Sequence, residues 1–173
     1  MRFNYNKLRG KIRETFKTQY EFAEAMGMSK SSISVKLNNK VEFTQTEIEN
    51  SVDILKIKKE EIPAYFFKLK AWIRQEGLCQ QVKWIDHKKF ERLRWIIMEV
   101  NKGMKFNYNK LRGMFRETFK TQAEFAEALG MSATSLSDKL NNKVQFTQKE
   151  IVNSVDLLTI EKEEIPAYFF TRE

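Results

Sequence analysis

The stretch "TQYEFAEAMGMSKSSISVKLNN", Thr18–Asn39, decides the fold of this chain, and the chain contains it twice. Its second form, "TQAEFAEALGMSATSLSDKLNN", runs from Thr121 to Asn142. Each opens with T-x-x-E, the form of a capping box, in which a hydroxyl and a carboxylate three residues on satisfy the free donors of a helix start. Phe22, Ala23 and Met26 follow at helical spacing, and Gly27 is the residue expected at a helix C-terminus. Ser29 then caps another helix, with Ile33 and Leu37 facing inward and Asn38-Asn39 closing it. The small Ala23 lets the second helix cross closely over the first. The pattern is helix, tight turn, helix.

Working outward, residues 1–67 align without a gap on residues 104–170 at a constant offset of 103, and only 15 of the 67 positions differ. Both copies begin "FNYNKLRG" and end "EEIPAYFF", and Met104 opens the second as Met1 opens the first, as though a reading frame had been duplicated and fused. The differences are scattered, which looks more like divergence than an engineered fusion. The expected organisation is all-α, with one copy at 1–68, a connector at 69–103 and a second copy at 104–173. In each copy Leu8, Ile12 and Phe16, or their equivalents, form an apolar stripe after Asn6, which reads as a cap. Thr44-Gln45-Thr46-Glu47 is a further capping box, opening a helix with Ile48, Val52 and Leu55 on one face. A turn around Glu60 to Ile62 precedes Pro63, and Ala64-Tyr65-Phe66-Phe67 reads as an apolar tail. A domain of this size is marginal alone. The tail either packs inside its own copy or forms an edge where the copies meet through Tyr65, Phe66, Phe67 and Tyr168, Phe169, Phe170.

Composition excludes several classes of function. The 173 residues are 42% hydrophobic and 31% charged, as expected of a soluble globular protein. No stretch approaches the roughly 18 apolar residues of a membrane span, and no signal-peptide core is present at the N-terminus. Cys79 is the only cysteine and His87 the only histidine. An internal disulfide is excluded, and a zinc site or histidine-dependent nucleophile would rest on His87 alone. The expectation is a cytoplasmic protein, not an enzyme, without cofactor or metal. The net charge of +8 points to a polyanion partner, above all nucleic acid.

The pattern Q-x-x-F-A-x-x-x-G-M-S-x-x-x-I-x-x-x-L-N from Gln19 to Asn38 describes a helix-turn-helix, whose second helix projects its outer face into a DNA major groove. Together with "NYNKLRG" and "KLNNK", it resembles the lambda-repressor-like, Cro/CI-type family of phage repressors, particularly small Cro-like repressors of phages of Gram-positive bacteria. The resemblance covers 1–67 and 104–170 and leaves out the connector. It implies a transcriptional repressor that reads double-stranded DNA with the helix after the turn. Gln19 would touch phosphate or buttress the reader, Lys30, Ser31, Ser32, Ser34 and Val35 would face the groove, and Asn38 would hold phosphate. Lys30 can donate to guanine, serine to either partner class, and Val35 can press on a thymine methyl. Lys36, Asn39 and Lys40 are expected to add phosphate contacts, which orient without reading.

In the second copy the equivalent residues are Gln122, Ala133, Thr134, Ser135, Ser137, Asp138, Asn141 and Lys143. One cation has gone and one carboxylate has arrived. Residues 1–68 hold 13 Lys/Arg against 9 Asp/Glu, residues 69–103 hold 8 against 4, and residues 104–173 hold 10 against 10. A neutral domain gains less from counterion release. Asp138 either accepts from cytosine or repels the duplex. Three roles stay open for the second copy: reader of a different half-site, weak reader, or domain retired from DNA binding.

The connector holds all three tryptophans, Trp72, Trp84 and Trp95. Its expected elements are a helix over 69–76, an ambiguous segment over 78–85 and a helix after Asp86 with Phe90, Leu93, Ile97 and Val100 on one face. Lys88, Lys89, Arg92 and Arg94 make that helix basic. It is too apolar for a tether and reads as a brace, or as a docking surface for a host or phage protein through Trp72, Trp84, Trp95, Arg92 and Arg94. Even a wholly helical connector of about 35 residues spans roughly 50 Å, enough for half-sites about 34 Å apart. The expected assembly is a single-chain pseudo-dimer, or a homodimer of it, on an imperfectly palindromic operator. The alternative is a protein-binding inhibitor or antirepressor built on the same scaffold.

Overall fold

The computed structural model of the chain describes residues 2–67 and 104–173. The connector, with Trp72, Cys79, Trp84, His87, Arg92, Arg94 and Trp95, lies outside the described residues. Among the described residues the structure is helical, with no strand beyond isolated bridges. The first copy consists of α1 (Asn6–Thr15), α2 (Gln19–Ala25), α3 (Lys30–Leu37), α4 (Gln45–Leu55), a 3-10 turn (Lys59–Glu61) and α5 (Ile62–Phe66). The second repeats it as α6 (Asn109–Thr118), α7 (Gln122–Ala128), α8 (Ala133–Leu140), α9 (Gln148–Leu157), a 3-10 turn (Lys162–Glu164) and α10 (Ile165–Phe169).

Most helix starts obey the sequence, and three details differ. Thr44 and Glu47 close a full capping box on α4, and Thr147 and Glu150 do so on α9. Thr18 accepts the Glu21 N–H, but the Glu21 carboxylate takes the N–H of Lys17 at 3.2 Å rather than that of Thr18. The start of α1 is held by Asn4, whose Oδ1 accepts the Asn6 N–H at 3.0 Å, and not by the Asn6 side chain. The apolar tail is instead a helix, α5. Pro63 sits in its first turn, where the missing N–H has no helical acceptor to lose.

Each copy closes around fully buried phenylalanines. Phe43 meets Tyr5 at 5.5 Å and Phe66 at 5.7 Å between ring centroids, and Phe146 meets Tyr108 and Phe169 in the same way at 5.4 and 5.6 Å. Phe66 thus packs inside its own copy. Its neighbour Phe67 faces the other copy, 6.3 Å from Phe170. Both readings of the tail hold, divided between adjacent residues. Tyr65 and Tyr168 make their ring contacts inside their own copies, under the Lys7 and Lys110 ammonium groups at 4.2 and 4.1 Å.

The main join between the copies lies elsewhere, at the start of α4 and α9. Thr44 and Thr147 form an antiparallel bridge, with the Gln45 N–H donating to Phe146 O at 3.0 Å and the Gln148 N–H to Phe43 O at 3.1 Å. The side chains repeat the exchange. Tyr5 Oη donates to Gln148 Oε1 and Tyr108 Oη to Gln45 Oε1, both at 2.7 Å. Gln148 Nε2 then donates to Phe66 O, and Gln45 Nε2 to Phe169 O. Both glutamines are fully buried, so each polar atom needs such a partner. Burial pushes both phenols well above their ordinary range, while the hydrogen bonds to glutamine act in the opposite direction. Each of these glutamine, threonine and tyrosine contacts has its mate at the 103 offset, which is the signature of a two-fold, self-complementary face.

Candidate nucleic-acid interface

The α2–α3 pair is built around a turn that only certain residues allow. Gly27 has φ +64°, and a Cβ there would meet nothing, so the glycine serves the backbone conformation and not a close contact. The Met28 N–H reaches back to Ala23 O at 2.8 Å, ending α2 in a Schellman-type arrangement. Ser29 accepts the Ser32 N–H at 3.1 Å and starts α3. Ile33 and Leu37 are buried and anchor α3, as Leu136 and Leu140 anchor α8. The anchors hold one side of each helix to the core and turn the other outward.

On that outer side Lys30, Ser31, Asn38 and Lys40 are exposed, while Gln19, Ser32, Ser34 and Val35 are half-buried. The serine hydroxyls are partly engaged: Ser31 and Ser32 lie 2.9 and 2.8 Å from Ser29 Oγ, and Ser34 accepts from Asn38 at 3.4 Å. In the second copy Ala133, Thr134, Ser135, Asn141 and Lys143 are exposed, and Gln122, Ser137 and Asp138 are half-buried. Asp138 does not stand alone, because Lys143 Nζ lies 3.2 Å from its carboxylate.

Two expected phosphate contacts of the first copy are corrected by their surroundings. Lys36 is only 7% exposed, and its ammonium donates to Glu42 O at 2.6 Å and pairs with Glu47 at 2.9 Å. Its stem runs inward past α3, so the charge is spent on holding the start of α4. Lys139 repeats this with Gln145 O and Glu150 at 2.8 and 2.9 Å. Asn39 has φ +58°, a conformation asparagine tolerates, and its side chain clamps the Phe3 backbone. Its Oδ1 accepts the Phe3 N–H at 2.7 Å and its Nδ2 donates to Phe3 O at 3.0 Å. Asn142 holds Phe106 identically at 2.8 and 2.9 Å. These amides are structural ties.

Arg9 was not singled out by the sequence pattern. Its Nη2 donates to Leu37 O and to Asn38 Oδ1, both at 2.9 Å, binding the C-terminal end of α3 to α1. A cation there also suits the negative end of the helix dipole. Arg112 does the same for α8 through Leu140 O and Asn141 at 2.8 and 3.0 Å. The available signal was "NYNKLRG" itself, identical in both copies, although the spacing of Arg9 from Asn38 gives no hint of contact.

No helix among the described residues is long and apolar enough to cross a membrane. No characterised protein matches the chain significantly. One family profile matches residues 1–69 and again residues 104–172, coinciding with the two copies. The chain belongs to the family described as "Protein of unknown function (DUF739)" and carries that family's domain twice.

Proposed function

We propose that the chain is a sequence-specific double-stranded DNA-binding protein, a transcriptional repressor of the Cro type, reading through α3 and α8 as the second helices of two helix-turn-helix units. One observation carries this reading: two anchored helices with polar outer faces belong to copies joined by a two-fold exchange of hydrogen bonds. A two-fold protein suits a palindromic operator, with one reading helix per half-site. The outer faces differ at Lys30/Ala133, Ser31/Thr134 and Val35/Asp138, so the preferred operator is an imperfect palindrome. Gln19, Lys30, Ser31, Ser34 and Val35 serve the first half-site. Gln122, Thr134, Ser137 and Asp138 serve the second, with Asn38, Lys40, Asn141 and Lys143 toward the backbone.

Selection of bound sites from random duplex DNA, followed by sequencing, tests the proposal. Enrichment of two dissimilar half-sites about 34 Å apart supports it. One half-site alone retires the second copy, and no enrichment sinks the reading in favour of a protein-binding inhibitor. On the selected operator, Lys30→Ala should cost about 1–3 kcal/mol and relax one base position. Unchanged affinity and selectivity in an electrophoretic mobility assay would remove Lys30 from the reading set.

Asp138 gives a second test. If it only holds Lys143 and repels the duplex, Asp138→Val should tighten binding to all sequences and steepen the salt dependence by about one phosphate contact. Lost discrimination at a single base pair would instead show that Asp138 reads a base.

A further inference from the structure

Between the C-terminal end of α3 and the start of α1 lies a cleft of about 360 Å³, whose polar lining is Asn4, Asn6, Arg9, Asn38 and Asn39. Among the described residues no carboxylate lines it. Arg9 is half-buried there and uses only Nη2, which donates to Leu37 O and Asn38 Oδ1. Its Nη1 and Nε have no acceptor among the described residues, and no carboxylate there pairs with its charge. The contrast with Lys36 is sharp, since that cation is fully engaged by Glu42 O and Glu47. Asn6 is exposed, and its side chain makes no hydrogen bond among the described residues.

The second copy repeats the lining unchanged as Asn107, Asn109, Arg112, Asn141 and Asn142. Arg112 makes the same two bonds through Nη2. None of the 15 differences between the copies falls on this cleft, although Lys30/Ala133, Ser31/Thr134 and Val35/Asp138 alter the outer face of the adjoining helix. A tie between helices accounts for Nη2 of Arg9 and for the Asn39 clamp. It does not account for the unused guanidinium nitrogens or for Asn6. A half-buried guanidinium with free donors, flanked by amides and no carboxylate, suits an oxyanion. Phosphate is the anion that arginine recognises best, through charge-assisted hydrogen bonds.

We infer that each cleft seats one backbone phosphate of the DNA duplex, held by Arg9 and Asn6 in the first copy and by Arg112 and Asn109 in the second. The inference rests on α3 and α8 being the reading helices, because the clefts lie at their ends. A phosphate contact positions a helix in the groove and carries no sequence information. One unchanged seat can therefore serve two half-sites whose reading faces differ. The guanidinium that grips the phosphate also holds the end of α3 through Nη2, so the grip fixes the reading helix directly.

The test pairs protein variants with single neutralised phosphates. The selected operator is remade with one methylphosphonate linkage at each position in turn, and affinities are measured for the parent and for Arg9→Met. In the parent, one linkage per half-site should weaken binding about tenfold when neutralised. Arg9→Met should weaken the intact operator by a similar factor and lower the salt slope by about one. It should also become insensitive to the linkage in the first half-site while keeping the sensitivity in the second. Arg112→Met should show the reverse. If Arg9 only ties α3 to α1, its loss is the same at every linkage, and that result overturns the inference while DNA binding stands. A parent that selects no operator overturns both. If Arg9→Met fails to fold by circular dichroism, Asn6→Ala decides, because it removes no hydrogen bond of the described chain. A smaller loss coupled to the same linkage upholds the seat, and no coupling overturns it.

Discussion

Truncating Gln148 to alanine is expected to lower the unfolding free energy by about 3–5 kcal/mol. The side chain is fully buried and stands between two partners, the Tyr5 hydroxyl at 2.7 Å and the Phe66 carbonyl. Alanine leaves both without their protein partner at a fully buried position, and each unpaired group costs about 1–3 kcal/mol before the small cavity is added. Tyr5→Phe is the matched control. It removes one bond and leaves only Gln148 Oε1 unpaired, so its cost should be about 1–2 kcal/mol. The double variant should cost less than the sum, because the two substitutions remove the same bond. Urea denaturation followed by circular dichroism gives all three values. A loss below about 1 kcal/mol for Gln148→Ala would show that the buried exchange does not hold the copies together. Gln45→Ala should behave alike through Tyr108 and Phe169.

Lys36→Ala separates architecture from recognition. The ammonium is bonded to Glu42 O and paired with Glu47, whose carboxylate also accepts the Thr44 N–H at 2.8 Å. Removing the cation leaves the carboxylate with the Thr44 N–H but no counter-charge, and takes the ammonium donor from the Glu42 carbonyl just before α4. The expected loss of stability is about 2–4 kcal/mol, below the full cost for a buried pair because Glu47 keeps 21% side-chain exposure. Affinity of the folded protein for its selected operator should stay within about twofold, since the charge points away from the outer face of α3. A roughly tenfold weaker complex at unchanged stability would return Lys36 to the phosphate contacts.

The contrast between Lys30 and Lys36 shows how far a one-dimensional pattern reaches. Both lie on α3 in a run of serines, and the sequence offers the same expectation of a solvated cation for each. Only the packing of α3 on the loop before α4 tells them apart, because the Glu42 carbonyl and Glu47 carboxylate come from a separate stretch of chain. Asn39 is similar. The sequence marks it as a helix stop, which it is, but its clamp on Phe3 joins residues 36 positions apart. Capping, by contrast, is local, and Thr18, Ser29 and Thr44 all sit where their spacing predicts.

The amino-acid sequence by itself determined the duplication, the helical composition, the order of the elements, most of their caps, and the buried stripes of each copy. Those follow from interactions within about four residues and from apolar periodicity, which a linear reading records directly. The tertiary structure alone decided that the copies join through Gln45, Gln148, Tyr5 and Tyr108 as well as the aromatic tail. It also decided that Glu49 meets Arg172 across the join, and that Lys36 faces inward. Polar residues carry no address in a sequence. A glutamine is a surface residue until a tyrosine 143 positions away closes over it, and only the fold brings the two together.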